Sequence, residues 1–309
     1  MFGVTLGGRL GARLLQALVT LWVATVVVFL LVRVTGSPVD VMLPETATPE
    51  QREFTTRLLG LDRPLPYQYW LYVSRLLQGD LGRSYTMNAD IGPLLLDRFW
   101  NTALLATAAM AVGVVVALPL GVLATRRRGG LLDTVASLVA LGGMSMPSFL
   151  TGILAILVFG VWLGWFPIFG ARSWRHFVLP AVTLGWFNSA GLLRLLRSGM
   201  LDVLSSEYIT AARAKGLSER RVLWKHALRN AALPVLTFLG LSYGILLAGA
   251  VTTEVVFAWP GIGALASESV ARRDFPVIQA VTLLTSAAIV VINLTVDVLY
   301  GVLDPRLRQ

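Results

Sequence analysis

The chain contains no cysteine, and among its 309 residues it has only two histidines and two lysines. The absence of cysteine excludes disulfide bonds and thiolate metal sites within this chain. His176 and His226 have no partner at metal-ligand spacing, so the sequence offers no metal centre. Lys215 and Lys225 lie outside any glycine-rich phosphate loop, which excludes a Walker A nucleotide site.

Charged residues are also scarce. They make up 14% of the sequence against 56% apolar residues, whereas soluble domains carry about 25% charged residues. No His-Glu-x-x-His or Gly-x-Ser-x-Gly motif is present, which argues against a membrane-embedded hydrolase. We therefore expect a polytopic, all-α membrane protein with no catalytic residue, no cofactor and no metal of its own.

Long uncharged runs dominate what remains. Residues 14–32 form the first, and its 19 residues suffice to cross a hydrocarbon core at about 1.5 Å per residue. Pro147, which follows Gly142 and Gly143, predicts a bend in the third run. The six predicted spans are residues 14–32, 102–125, 134–171, 177–193, 231–253 and 275–296, of which the last could continue to Leu303.

The region between the first two spans is polar. Thr48, Pro49 and Gln51 form a capping box that opens a short helix. A second short helix is predicted over residues 66–78, with aromatic residues typical of the membrane interface and direct substrate contact as the alternative role. These aromatic residues are Tyr67, Tyr69, Trp70 and Tyr72. The predicted division is residues 1–35 for the N-terminal tail and first span, 36–100 for an extracytoplasmic segment, and 101–309 for the core.

The distribution of charge predicts the orientation. If successive loops alternate sides, the side that holds both termini carries 15 Lys and Arg against five acids, and the other side carries 11 against eleven. Short loops rich in Lys and Arg stay in the cytoplasm. Both termini and the loop 198–233 are therefore predicted to be cytoplasmic, and the net charge of +9 needs no nucleic-acid partner.

Within that loop, residues 202–234, here called the hairpin, predict two short helices. Ser206 and Ser218 are the expected N-caps, and Gly216 is expected to end the first helix in a left-handed conformation. Predicted apolar stripes run through Leu201, Leu204, Tyr208, Ala211 and Ala212 and through Trp224, Ala227, Leu228 and Ala231, with Arg221, Lys225 and Arg229 opposite. Anionic lipid could cover the hairpin, but small alanine side chains favour close contact with a partner protein.

Two acids lie near membrane depth, where a charge is a functional candidate. Glu254 is a candidate to line a translocation path, and Asp297 is expected to pair with a neighbouring helix. Polarity at depth adds Ser145, Asn188 and Ser189 as further path candidates. Residues 261–266 match a loose dinucleotide-binding pattern but lack a βαβ context, so we interpret them as a flexible turn or re-entrant segment.

The hairpin motif Thr210-Ala-Ala-Arg-Ala-Lys-Gly216, followed by Leu233-Pro234, resembles the "EAA" loop of ABC importer permeases. The resemblance is closest to the first permease of the dipeptide, oligopeptide, glutathione and nickel group. Thr210 replaces the usual glutamate, and the distance to Pro234 is longer than in sugar permeases. The other matching stretches are residues 59–66, 78–82, 145–149, 163–165, 226–230, 256–263 and 304–306.

This resemblance implies the type I importer fold with six transmembrane helices in a prokaryotic plasma (inner) membrane. It also implies a second permease, two cytoplasmic ATPase subunits that bind ATP and magnesium, and an external solute-binding protein. The implied ATPase-docking positions are Thr210, Ala211, Ala212 and Gly216, and the hairpin charges add Glu207, Arg213, Lys215 and Arg221. The alternative is an ion- or proton-coupled secondary transporter, for which the sequence lacks paired intramembrane charges and an internal repeat.

Overall fold

The computed structural model describes residues 6–127 and 129–303, so the predicted motif at residues 304–306 and Arg128 lie outside the described residues. Within these ranges the chain is helical, and its β-structure is an isolated bridge between Arg83 and Asp90. The helices are α1 (Leu6–Thr35), α2 (Pro38–Met42), α3 (Pro49–Leu58), α4 (Leu65–Leu77), α5 (Ile91–Ala124), α6 (Leu131–Ser145), α7 (Ser148–Ala155), α8 (Trp174–Leu204), α9 (Glu207–Ala214), α10 (Glu219–Arg221), α11 (Leu228–Leu247), α12 (Val251–Val256), α13 (Ile262–Ala271) and α14 (Phe275–Leu303).

Among the described residues, three helices contain stretches long and apolar enough to cross a membrane, namely Gly11–Thr35, Ile91–Ala124 and Phe275–Val298. They confirm the first, second and sixth predicted spans as helices. α5 begins at Ile91 rather than Thr102, because Pro93 is tolerated in a first helical turn and Ile91 is buried against α13 and α14.

The third and fifth predicted spans are broken. At Pro147 the chain bends by 106° between α6 and α7, which confirms the bend but makes it a break between two helices. α7 continues as a π-helical turn, Ile156–Trp162, so the helix ends before the predicted Ala171. The second bent pair, Glu219–Ala232 and Pro234–Leu247, turns by 56°, and α11 ends at Leu247 rather than at Thr253.

α8 is the centre of the helical body. It was predicted as the shortest span, residues 177–193, but the helix has 31 residues, because Arg194 and Arg197 end the apolar run without ending the helix. Its buried face packs with α5, α6 and α11 around one core. Gly185 allows the closest approach to α5, since a Cβ there would meet Val112 at 2.6 Å.

The ends of the chain contact each other through α1 and α14. Arg13 Nη1 lies 3.2 Å from Asp297 Oδ2, so Asp297 pairs with a neighbouring helix as predicted. In the polar segment, the backbone N–H of Gln51 donates to Thr48 Oγ1 at 3.3 Å, and the Thr48 N–H donates to Gln51 Oε1 at 3.0 Å. These two bonds confirm the predicted capping box, and α4 confirms the second short helix.

Candidate functional site

The hairpin, residues 202–234, contains α9, the turn at Gly216, α10, a π-helical turn over Val222–Ala227, and the start of α11. Gly216 has φ +79°, and a Cβ built there would meet no heavy atom within 4 Å. The glycine is therefore required by the left-handed conformation and not by crowding. The predicted helix end at Gly216 is confirmed.

The two serines occupy the predicted N-cap positions, but neither side chain caps its helix. Ser206 Oγ donates to Val203 O at 2.5 Å instead. Because α8 ends only two residues earlier, its last carbonyl groups are within reach of this hydroxyl. Ser206 and Ser218 are thus N-cap residues as predicted, but their hydroxyl groups make no capping hydrogen bond.

The predicted apolar stripes were also partly wrong. In α9, Ile209 is fully buried whereas Tyr208 is 44% exposed and Ala211 is exposed. In the second helix, Ala227 and Ala231 are buried as predicted but Trp224 is exposed. Trp224 lies in the π-helical turn at residues 222–227. The i to i+5 repeat of this turn departs from the 3.6-residue pattern from which the stripe was predicted.

Two polar contacts join the arms of the hairpin. Arg213 Nε and Nη2 donate to the Glu219 carboxylate at 2.8 and 3.3 Å, across the Gly216 turn. Asn230 Nδ2 donates to the Tyr208 hydroxyl at 2.7 Å and ties α9 to α11. Arg213 and Glu219 are six residues apart, a spacing with no meaning within one helix, so helical periodicity could not find the pair.

Most predicted docking residues lie on the outer surface of the hairpin. Glu207, Thr210, Ala211, Lys215 and Gly216 are exposed, as are Arg213 and Arg221. Ala212 is half-buried. Arg213 was expected to offer its charge to a partner, but it is engaged by Glu219. Small residues of α9 and its turn, Thr210, Ala211 and Gly216, are thus exposed beside the charges of Glu207, Lys215 and Arg221. The second arm adds the exposed charges Arg220, Lys225 and Arg229.

A partly buried ion pair connects two helices of the body next to the hairpin. Asp133 in the first turn of α6 accepts from Arg197 Nε at 2.7 Å and from Arg197 Nη2 at 3.1 Å. The Gly129 N–H donates to the second Asp133 oxygen at 2.9 Å. This two-point geometry holds α6 against α8 two turns before α8 ends. The sequence analysis missed the pair, whose only signal was an aspartate at the start of an apolar helix.

Glu254 lies in a second helix–turn–helix region, residues 249–264, here called the Glu254 loop. Its side chain has 0% exposure. Thr102 Oγ1 donates to Glu254 Oε1 at 2.7 Å, and the Ala264 N–H donates to Oε2 at 2.9 Å. The Thr102 oxygen also accepts from the Ile262 N–H at 2.8 Å. The carboxylate thus joins α5, α12 and the start of α13.

The glycines of this loop are packed against the carboxylate. A Cβ at Gly261 would lie 2.4 Å from the Glu254 carboxylate, and one at Gly263 would lie 2.8 Å from Val251 Cα. The predicted flexible turn is therefore a tightly packed one, in which glycine is required by close approach. The two glycines of the loose dinucleotide-binding pattern, Gly261 and Gly263, thus serve close packing between α12 and α13.

The four predicted path residues differ in exposure. Ser145, at the break between α6 and α7, is exposed, whereas Asn188, Ser189 and Glu254 are buried within the subunit. Asn188 Nδ2 donates to Leu184 O at 3.0 Å, and Ser189 Oγ donates to Trp186 O at 2.7 Å. The structure thus does not bring the four together on one surface.

Asp274 forms another buried site that the sequence analysis missed. Its carboxylate has 0% exposure and accepts from the Ser84 hydroxyl, from the Tyr85 and Thr86 N–H groups at 3.2 Å each, and from Thr86 Oγ1 at 2.7 Å. Burial raises the pKa of the neighbouring Tyr85 phenol. These hydrogen bonds join the polar segment to the start of α14.

Across residues 6–127 and 129–303, no group of three His, Asp or Glu residues is arranged to hold a metal ion.

Two family models together match most of the chain. "Binding-protein-dependent transport system inner membrane component" matches residues 117–309, and the N-terminal model of the same kind of membrane component matches residues 9–106. The glutathione transport system permease protein GsiC of Escherichia coli strain K12 is 42% identical over 297 residues, covering 96% of this chain and 97% of the relative. GsiC of Shigella dysenteriae serotype 1 gives the same identity and coverage.

Solved structures agree on the fold. The MetNI methionine ABC transporter, in an inward-facing conformation, matches with a TM-score of 0.56 at 20% identity, covering 68% of this chain and 96% of the other. An amino acid ABC transporter crystallised with histidines gives a TM-score of 0.51 at 19% identity, covering 69% and 94%. At these identities the match shows the fold alone. The 42% identity over nearly the whole length, together with the family models, shows more: the chain belongs to the binding-protein-dependent transport system inner membrane components, the membrane-embedded permeases of ABC importers.

Proposed function

We propose that this chain is one permease of a heteromeric importer that moves peptide-like solutes, glutathione among them, across the plasma membrane of a prokaryote. The similarity to GsiC over 96% of the chain supports the solute class. In this proposal the second permease completes the pathway, an external binding protein delivers the solute, and two ATPase subunits bind and hydrolyse ATP. The chain itself is then a transport subunit and not an enzyme.

The proposed topology has six crossings with both termini in the cytoplasm. The crossings are α1, α5, the bent pair α6 and α7, α8, the bent pair that ends in α11, and α14. At about 1.5 Å per residue, the 31 residues of α8 are long enough to cross despite their arginines. The polar segment 36–90 and the Glu254 loop then lie on the outer side, and the hairpin lies on the ATPase side.

The hairpin is the proposed docking site for the ATPase. The observation that carries this assignment is its combination of an exposed small-residue surface with a fixed base. Ile209 is buried, Tyr208 is bonded to Asn230, and Asp133 holds Arg197 in α8. A partner that moves α9 would therefore move α8 and α11 as well. The breaks at Pro147 and before Pro234 are the places where this motion would be taken up.

For the solute path, Ser145 is the proposed lining residue, because it is exposed at the break where α6 and α7 meet. Asn188 and Ser189 lie one helix deeper, and Glu254 is proposed to support the path by holding the outer loop in place. Solute selection would then depend mainly on the external binding protein.

The docking proposal is tested by Ala211→Asp in the transporter reconstituted with its partner subunits. A buried carboxylate at a tight protein contact should weaken ATPase association and reduce ATP-driven glutathione uptake by at least about tenfold, which corresponds to about 1.4 kcal/mol. Ala271→Asp is the matched control, since Ala271 is an exposed alanine near the end of α13. Equal uptake by the two variants would contradict docking through α9. Uptake by the permease without ATPase subunits would contradict the importer assignment itself.

A further inference from the structure

α4 has one face packed against α1. The hydroxyls of Thr25 and Tyr69 are hydrogen-bonded at 2.8 Å, and Arg33 Nε donates to Gln68 Oε1 at 2.9 Å. Between these contacts, the Phe29 ring centroid lies 5.4 Å from that of Tyr69 and 6.0 Å from that of Tyr72. The inner face of α4 is therefore held at three successive levels of α1.

These contacts place α4 at membrane depth. Thr25, Phe29 and Arg33 follow each other at four-residue spacing along one face of the membrane-crossing stretch Gly11–Thr35. At about 1.5 Å per residue, Thr25 lies about 15 Å along the helix axis from the end of that stretch at Thr35. Because Tyr69 contacts Thr25 and Tyr72 contacts Phe29, α4 lies beside the last turns of this apolar helix.

The opposite face of α4 is apolar and open. Tyr67, Trp70 and Leu77, here called the α4 stripe, recur at three- and seven-residue spacing, and Trp70 and Leu77 are 67% and 83% exposed. Ser74 shares this face, but its hydroxyl donates to Leu71 O at 2.9 Å. The Ser74 hydroxyl is thus satisfied within the helix, and the polar groups of the stripe are the Tyr67 hydroxyl and the Trp70 indole N–H, which suit the boundary between acyl chains and headgroups.

We propose that the α4 stripe is immersed in the phospholipid leaflet that surrounds the C-terminal end of α1. α1 itself exposes Leu30, Leu31 and Val34 in the last turns against which α4 packs. Trp and Tyr side chains favour this boundary between acyl chains and headgroups. Arg75 is the only charge in α4 and lies in its last turn, where it can reach a headgroup phosphate.

In lipid, α4 would anchor the polar segment to the membrane, which a role in direct solute contact would not provide. Lipid holds the polar segment at α4, while the bonds from Ser84, Tyr85 and Thr86 to Asp274 hold its other end. The segment is then fixed at two points beside the outer mouth, so a binding protein would meet a surface with a defined position and not a mobile one.

The test uses the absence of native cysteine. Single variants Trp70→Cys and Leu77→Cys are labelled with a nitroxide in the transporter assembled with its partner subunits, in phosphatidylethanolamine–phosphatidylglycerol vesicles. Collision rates are measured with oxygen, which concentrates in lipid, and with a water-soluble nickel chelate. Leu31→Cys on α1 is the lipid reference, and Asp62→Cys, in the exposed turn before α4, is the water reference.

The oxygen-to-nickel ratio at both stripe positions should match Leu31→Cys and exceed that of Asp62→Cys several-fold. A ratio equal to that of Asp62→Cys would place the stripe in water and overturn the proposal. Low collision rates with both reagents would show that another subunit covers the stripe, which also overturns it. If both rates fell only when the solute-binding protein was added, the stripe would be a contact surface for that protein, and the proposal would be overturned. Because Leu77→Cys removes no aromatic packing, its result decides if Trp70→Cys fails to fold.

Discussion

The hairpin and the Glu254 loop are both helix–turn–helix segments with glycine in the turn, but the loop is tightly packed by neighbouring atoms and the turn of the hairpin is not. In the Glu254 loop, Gly261 and Gly263 are crowded by neighbouring atoms, and a fully buried carboxylate is bonded from two helices. In the hairpin, Gly216 faces open space and the joining ion pair is exposed. The loop is completed by this chain alone, whereas the hairpin presents a surface that this chain leaves uncovered.

The largest effect is expected from adding one methyl group at a glycine of each region, which tests the difference in packing between them. Gly261→Ala puts a Cβ 2.4 Å from the Glu254 carboxylate, and displacing that group should lower the free energy of unfolding by about 3 kcal/mol. Gly216→Ala meets no atom but keeps a left-handed residue, which costs about 1 kcal/mol. Thermal unfolding of the detergent-solubilised transporter should rank them in that order, and equal losses would contradict the difference in packing.

A smaller effect is expected from Glu254→Gln. The amide fills the same space, but its NH2 group cannot accept from the Thr102 hydroxyl or the Ala264 N–H as the carboxylate does. One buried donor then loses its acceptor, which should destabilise the protein by about 2 kcal/mol. Glu207→Gln in the exposed first turn of α9 is the control, with a change within about 0.5 kcal/mol. The same unfolding measurement applies, and a stable Glu254→Gln variant would argue against a structural role.

Asp133→Asn tests the connection between the hairpin and the helical body. It removes the charge that Arg197 contacts at 2.7 and 3.1 Å. Because the Arg197 side chain is 33% exposed, the loss should be only about 1 kcal/mol. If this pair transmits motion from the hairpin, the uptake rate should fall by more than the small loss of folding stability can account for. Asp202→Asn, an exposed acid near the end of α8, should change neither, and equal uptake by both variants would exclude a transmitting role for Asp133.

The smallest effect is expected at the exposed pair Arg213 and Glu219. Both side chains are about half exposed, at 43% and 52%, so a double-mutant cycle with alanine should give a coupling free energy within about 0.5 kcal/mol. A coupling free energy several times larger would mean that the hairpin is stabilised much as the Glu254 loop is. ATPase binding by the double mutant then shows whether the pair serves rigidity or contact with the partner.

Patterns of local origin were predictable from the sequence. The uncharged runs gave α1 and α14, the capping box at Thr48 and Gln51 opened α3 as expected, and Gly216 ended α9 because its left-handed conformation is a local requirement. A bend at Pro147 was predicted for the same reason, and the structure has a break between two helices there. These features depend on residues within one or two helical turns of each other.

Features that depend on distant residues were not predictable in the same way. Glu254 bonds to Thr102, and Asp274 to Ser84 and Thr86, across more than a hundred residues of sequence. No periodicity marks such pairs. The π-helical turn at residues 222–227 contains Trp224, whose side chain is exposed and not part of the predicted stripe, whereas Ala227 and Ala231 are buried as predicted. The helix–helix approaches at Gly185 and Gly261 are likewise properties of the assembled core.

The most direct test of the docking assignment is the accessibility of a single thiol at Thr210→Cys, in the exposed centre of α9. We expect no labelling by a membrane-impermeant maleimide in intact cells. In inside-out vesicles, we expect rapid labelling after the ATPase subunits are removed and protection when they are restored. Labelling in intact cells, or equal labelling with and without the ATPase subunits, would contradict the assignment of the hairpin as the ATPase-docking site.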